Sequence, residues 1–330
     1  MELKISITIE KLEVKVEGSQ ISISIGGGNP MEGKGEEGRG EKEGGRDEVE
    51  KGEGLQQKVR EGVSNSTEIV QQLLEWLKER GFQIKNYSTG EEVEQVLKIA
   101  YKLGEKYQLL RPFYLRLKSI LGQGGEFTLK MKEFPSVQIS EILNFCRQLQ
   151  ELGFISYTYK NSPSFTLRVF FHPNPTGINL FSGHWLEKWA KLKIVEELKR
   201  KGLNFGYLQE LQVELPDQKD DEFDLLFEVE GERFIVECKT ANFEDKIQKF
   251  SERAGKFLGL PPNRRIFLLL EASEEQRRGL VQLYNLQVES LESFPTGIKK
   301  LIEEIGEKGK EKETPPPLPL EGGDSQKGVS

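Results

Sequence analysis

Cysteine and histidine are nearly absent. The 330 residues contain two of each: Cys146 and Cys238, His172 and His184. Two cysteines are too few for a disulfide framework or a cysteine-based zinc site. Two histidines exclude, within one chain, a site that needs several imidazole ligands. Any metal must then be held mainly by carboxylates, which favours Mg2+ or Mn2+ over Zn2+. No apolar run approaches the roughly 18–20 residues of a membrane span. The first ten residues alternate polar and apolar, unlike a secretory signal. The chain therefore reads as cytoplasmic, with no membrane partner. A basic excess is also missing: 47 Lys and Arg stand against 54 Asp and Glu, a net charge of −7. That excludes a globally basic nucleic-acid binder but not a local basic face.

Apolar residues make up 36 % of the chain, below the usual ~45–50 %, while glycine is abundant at 34. Part of the chain is thus expected to build no core, and the length suits about two domains. Residues 1–25 alternate with period two (Leu3, Ile5, Ile7, Ile9, then Leu12, Val14, Val16, then Ile21, Ile23, Ile25), which predicts a β-hairpin turning at 17–20. Such a segment must pair with something, a second copy included. Residues 26–62 are rich in Gly and charge and read as a disordered linker. Residues 306–330, with the prolines at 315–319, read as a disordered tail.

Residues 64–175 carry helical spacing over 67–80, 91–107, 113–121 and 137–152. Gly153 stands where a helix C-terminus favours it, and two strands at 154–160 and 165–171 follow. Helices followed by a hairpin resemble a winged helix-turn-helix. The module could read DNA through 137–152, or serve as a dimerising spacer. Arg147, Glu141 and Glu151 are the charges on that helix's polar face, a poor set for gripping phosphates, which favours the spacer.

The chemistry falls in residues 180–300. Their order predicts an α/β sheet: a helix over 183–201, strands at 207–215, 222–230 and 233–240, a helix over 243–257, an all-apolar strand at 265–270 and a helix over 274–283. Trp185 and Trp189, four apart on one helix, read as core, and His184 as a capping or surface residue. Glu237 and Lys239, two apart, share a face, while Cys238 points into the core with Phe234 and Val236. Asp224 is expected on the face opposite Phe223 and Leu225, and a turn at 231–232 brings it near Glu237. Two carboxylates and a main-chain carbonyl can hold a hard divalent cation, and a nearby lysine can stabilise charge on a phosphodiester. Without a cation the two acids would repel one another.

At these residues the chain resembles the PD-(D/E)xK nuclease superfamily: Asp224, then Glu237-Cys238-Lys239, on a restriction-endonuclease-like αβββαβ core behind an α+β winged-helix-like domain. The segments SGHWLE, DEFD and ERFIVECKT further resemble the endonuclease domain of CRISPR ancillary nucleases that respond to cyclic oligoadenylate. That resemblance implies Glu187, Asp224 and Glu237 as metal ligands with the Cys238 main-chain carbonyl, Lys239 as catalytic, Glu222 and Thr240 as supporting residues, and Lys246 and Lys249 facing the cut strand. It implies a metal-dependent endonuclease, DNA more than RNA as substrate, a homodimer and a role in defence. Where that family has a Rossmann-like sensor domain, this chain has the hairpin and the Gly/Glu linker, so residues 1–107 become the candidate contact for an activator or partner subunit. The alternative is an inactive nuclease-like protein that binds DNA or a protein partner.

Overall fold

The computed structural model describes residues 12–17, 20–25 and 66–313, apart from 91, 123 and 162. The expected linker at 26–62, the first ten residues and the prolines at 315–319 lie outside these. The chain divides into two units, residues 1–51 and 52–330. In the first, β1 (Leu12–Glu17) pairs antiparallel with β2 (Gln20–Ile25), with Glu17 opposite Gln20.

The second unit opens with α1 (Thr67–Glu79), whose amide at Ile69 donates to the Ser66 hydroxyl, 3.4 Å away. Then come β3 (Gln83–Ser88), α2 (Glu94–Glu105) and α3 (Tyr107–Ile120). A three-stranded antiparallel sheet follows, built from β4 (Gly125–Lys130), β5 (Ile155–Lys160) and β6 (Thr166–Phe171) in the order β4-β6-β5, with α4 (Ser136–Glu151) inserted after β4. The expected hairpin is present, and β4 adds a strand where the spacing suggested helices alone. Gln138 and Glu141 of α4 are not free for a ligand. Gln138 donates to the Leu109 carbonyl at 3.0 Å, and Glu141 pairs with Lys102 at 3.8 Å.

A short helix α5 (Pro175–Asn179) and a wide turn at Leu180–His184 lead into α6 (Trp185–Lys201). Trp185, Leu186, Trp189, Ala190, Ile194, Val195 and Leu198 of α6 are all buried. Such broad burial suits a central helix, and α2 and α9 (Phe294–Glu313) flank it. The main sheet has six strands: β7 (Phe205–Glu214), β8 (Asp220–Val229), β9 (Glu232–Lys239), β10 (Arg265–Leu269), β11 (Gln287–Ser290) and β3, ordered β11-β10-β9-β8-β7-β3. β10 runs parallel to β9 and β11, and the other pairings are antiparallel. α7 (Glu244–Lys256) and α8 (Glu274–Tyr284) complete the unit. One apolar cluster joins α2, α3, the small sheet and α6 to one face of the large sheet, and a second packs α1 and α7 on the other.

Three sequence expectations are corrected. The boundary between 64–175 and 180–300 does not divide the sheet, because β3 pairs with β7 and α1 packs on the same sheet. The period of 83–88 is hidden because only Ile84 and Ser88 of β3 are even partly buried at this edge. The tail expected from 306 is helical to Glu313, since Ile298, Leu301, Ile302 and Ile305 carry α9 along the core. The β8–β9 turn centres on Glu230 and Gly231, both at positive φ (48° and 77°), one residue earlier than expected.

Candidate active site

The site sits where two strands part. The β8–β9 ladder runs from Val229 opposite Glu232 to Leu225 opposite Val236 and then stops. Beyond that point β8 stays with β7 as far as Asp220, and β9 stays with β10 as far as Lys239. In the open fork, the Cys238 amide donates to Asp224 Oδ2 at 2.6 Å, replacing the lost strand partner.

The β7–β8 ladder is also interrupted there, at Glu210 opposite Asp224, with Glu210 at φ 50°. Leu225, Phe227 and Val229 pack in the cluster around α6, but Phe223 packs in the cluster under α7. The expectation that Phe223 and Leu225 share a face is therefore corrected: alternation slips by one residue at Asp224. Cys238 packs with Phe234 and Val236 as expected.

Lys239 Nζ lies 2.5 Å from Glu237 Oε1 and 3.4 Å from Asp224 Oδ2, so one ammonium spans both carboxylates. Glu187, in the first turn of α6, lines the same cleft of about 490 Å³, with His184, Glu222, Lys246, Lys249 and Arg253. His184 Nδ1 is 3.0 Å from the Asn179 carbonyl oxygen, and its side chain makes no capping hydrogen bond to α6. Trp185 and Trp189 are buried.

The electrostatics follow from crowding acids in a largely buried fork. Burial pushes Glu187 well above the ordinary carboxylate range, and the Asp224 charge adds to this. Burial also raises Asp224, against the pull of Lys239 and the Cys238 amide. Glu237 is pushed up to about 8 by burial and by Asp224, with Lys239 opposing. Burial works against the charge on Lys239, but Glu237 and Asp224 outweigh it and hold the ammonium above its ordinary value. Two of these carboxylates, Asp224 and Glu237, pair directly with one ammonium, and the third, Glu187, is crowded by the Asp224 charge.

That crowding and the hard oxygen donors suit a divalent ion such as Mg2+ or Mn2+. Among the described residues, no three Asp, Glu, His or Cys side chains close around one point, and the ammonium of Lys239 is the cation between Asp224 and Glu237.

Sequence reasoning missed Glu210 and Arg253, and gave Asp221, the first residue of the DEFD segment, no role. Glu210 pairs with Lys188 at 3.5 Å and adds to the charge that raises Glu187 and Glu222. Asp221 and Arg253 form an ion pair beside the cleft. Glu210 and Arg253 belong to no local motif, and only the fold shows that Asp221 of the DEFD segment pairs with Arg253.

No family model matches the chain, and no curated protein matches it. Among solved structures the chain is similar to protein VC1899 from Vibrio cholerae, at 17% identity over 71% of this chain and 60% of that one, with a TM-score of 0.48. It is also similar to Can2 from Sulfobacillus thermosulfidooxidans, solved in complex with cyclic tetra-adenylate, at 13% identity over 69% of this chain and 57% of that one, with a TM-score of 0.47. The match thus spans about three fifths of the length of each of these proteins.

Proposed function

We propose that the chain is a divalent-metal-dependent endonuclease of the PD-(D/E)xK type, hydrolysing phosphodiester bonds of nucleic acid, with DNA favoured over RNA. The observation that carries the reading is the fork: Asp224, Glu237 and Lys239 meet where β8 and β9 separate, and Glu187 reaches the same cleft from α6.

Glu187, Asp224, Glu237 and the Cys238 main-chain carbonyl would hold Mg2+ or Mn2+, which would supply Lewis-acid polarisation of the phosphodiester and hydroxide at neutral pH. Lys239 keeps its proton and offers positive charge to the phosphoryl oxygens as charge builds in the transition state. Asp224 fixes the β9 backbone through the Cys238 amide and so sets where Glu237 and Lys239 stand. Lys246 and Lys249 place exposed ammonium groups along the cleft for the strand being cut. The reading carries with it a cytoplasmic homodimer acting against mobile genetic elements, with an activator or partner reached through residues 1–107. No described helix is long and apolar enough to cross a membrane.

The absence of a closed donor cage among the described residues favours a second reading, an inactive nuclease-like protein that binds DNA or a protein partner. One experiment separates the two: cleavage of supercoiled plasmid and single-stranded RNA with Mn2+ or Mg2+, wild type against Lys239→Ala. Metal-dependent cleavage lost in the variant supports the nuclease. No cleavage by the wild type, together with no heat of metal binding in calorimetry, supports the binding protein.

A further inference from the structure

A second cleft, of about 290 Å³, adjoins the first and shares Lys239 with it. Its walls come from three parts of the chain: α3 (Tyr114, Lys118), the loop after β9 (Thr240, Asn242, Phe243) and the residues just after β10 (Leu270, Glu271). Lys118 is the unusual member. Its Nζ donates to Thr240 Oγ1 at 2.7 Å and lies 5.9 Å from the Tyr114 ring centre. No carboxylate among the described residues pairs with it, and burial lowers its pKa with nothing offsetting that. Arg111, in the same cleft, is by contrast charge-paired: two guanidinium nitrogens donate to Glu271, at 2.6 and 3.1 Å.

An ammonium has three N–H donors, and Thr240 takes one. A half-enclosed ammonium that keeps two donors and has no carboxylate paired with it has the donors an anion requires, while Glu271 in the same cleft is taken up by Arg111. Thr240 directly follows Lys239, so that subsite stands one residue along the strand from the ammonium proposed to face the cut bond.

We propose that Lys118 grips a backbone phosphate of the nucleic-acid strand next to the one that is cut, so that the helical segment ahead of the small sheet supplies part of the substrate track. The inference rests on the nuclease reading and names a substrate contact for that site. The strand would run past Lys246 and Lys249 on α7, over Glu237 and Lys239, and on to Lys118 on α3.

The test measures binding of fluorescent single-stranded and duplex DNA by anisotropy, in chelator and in Ca2+, across about 50 to 200 mM salt. Wild type is compared with Lys118→Gln, Lys118→Arg and, as a distant control, Lys201→Gln, which disrupts an exposed pair with Glu303. In the Gln variant at position 118, the slope of log affinity against log salt is expected to fall by about 0.9 on duplex or about 0.7 on single strand, the share of one phosphate. The Arg variant and the control are expected to keep the wild-type slope. A Gln variant with wild-type slope and affinity overturns this inference alone. A wild type that binds neither DNA overturns it together with the nuclease reading. A readout without any substitution is acylation of the wild-type lysines followed by mass spectrometry. Bound DNA is expected to shield Lys118, and equal labelling with and without DNA refutes the contact.

Discussion

Replacing Glu237 with Gln should change how stability depends on pH, because Glu237 is the acid most clearly forced to hold a proton in the fold. Its carboxyl rises from an ordinary 4.5 to about 8, through burial first and the Asp224 charge second. A folded-state pKa above the unfolded value means that the fold binds the proton more tightly. The stabilisation is therefore complete below about 4.5 and is lost as pH rises through about 8. At ~1.4 kcal/mol per pH unit, that interval limits the effect to about 5 kcal/mol. Glutamine keeps the shape and loses the titration. Glu237→Gln should thus match the wild type within about 1 kcal/mol near pH 5 and exceed it by about 2–5 kcal/mol near pH 9, part of the slope surviving through Glu187 and Asp224. At roughly 2–4 °C per kcal/mol for a chain of this size, the midpoints should part by about 5–15 °C. Thermal melts in chelator across that pH range measure it. Parallel pH profiles for the two proteins would refute the picture of a Glu237 carboxyl that burial and Asp224 force to keep its proton in the fold.

Other expectations concern packing, reactivity and the backbone at the fork. A Cβ on Gly104 would stand 2.2–2.5 Å from Trp189 ring atoms, so Gly104→Ala should cost about 1–3 kcal/mol, read as a lowered urea midpoint. Cys146 and Cys238 are buried and burial pushes both thiols up, so a thiol reagent should modify neither until the chain unfolds. Asn174→Ala removes the acceptor for the Gly177 amide, 2.7 Å away, and should cost about 1 kcal/mol in denaturant titrations. Asp224→Asn keeps an acceptor for the Cys238 amide and Asp224→Ala does not, so metal-dependent cleavage should fail in both while only the Ala variant loses about 1–3 kcal/mol of stability.

Much of the large sheet was legible because β8, β9 and β10 carry dense apolar runs and α6 is apolar on several sides. That Glu237 and Lys239 share a face followed from period two, and the tight turn of β8 and β9 brought Asp224 near them. The slip at Asp224 was not legible, because it depends on Glu210, fourteen residues upstream in another strand, adopting a left-handed backbone. β3 and β11 were missed for a related reason: β3 at its edge buries little, and the four residues of β11 give too few periods to read. Lys118 carries no motif, and only tertiary packing brings it beside Thr240.

The position of β3 also bears on the order in which the protein assembles. Its partner is β7, with Gln83 opposite Glu214, so the small sheet and the five helices α2 to α6 are synthesised between the two. Until β7 emerges, Val70, Leu73, Leu74 and Leu77 of α1 have no sheet to cover, and that apolar face waits in solvent. Closing such a long loop is slow compared with forming the local hairpin of β8 and β9. The first strand of the large sheet to be made is thus the one whose docking waits longest, and a fragment beginning at residue 180 would leave β7 as a bare, aggregation-prone edge.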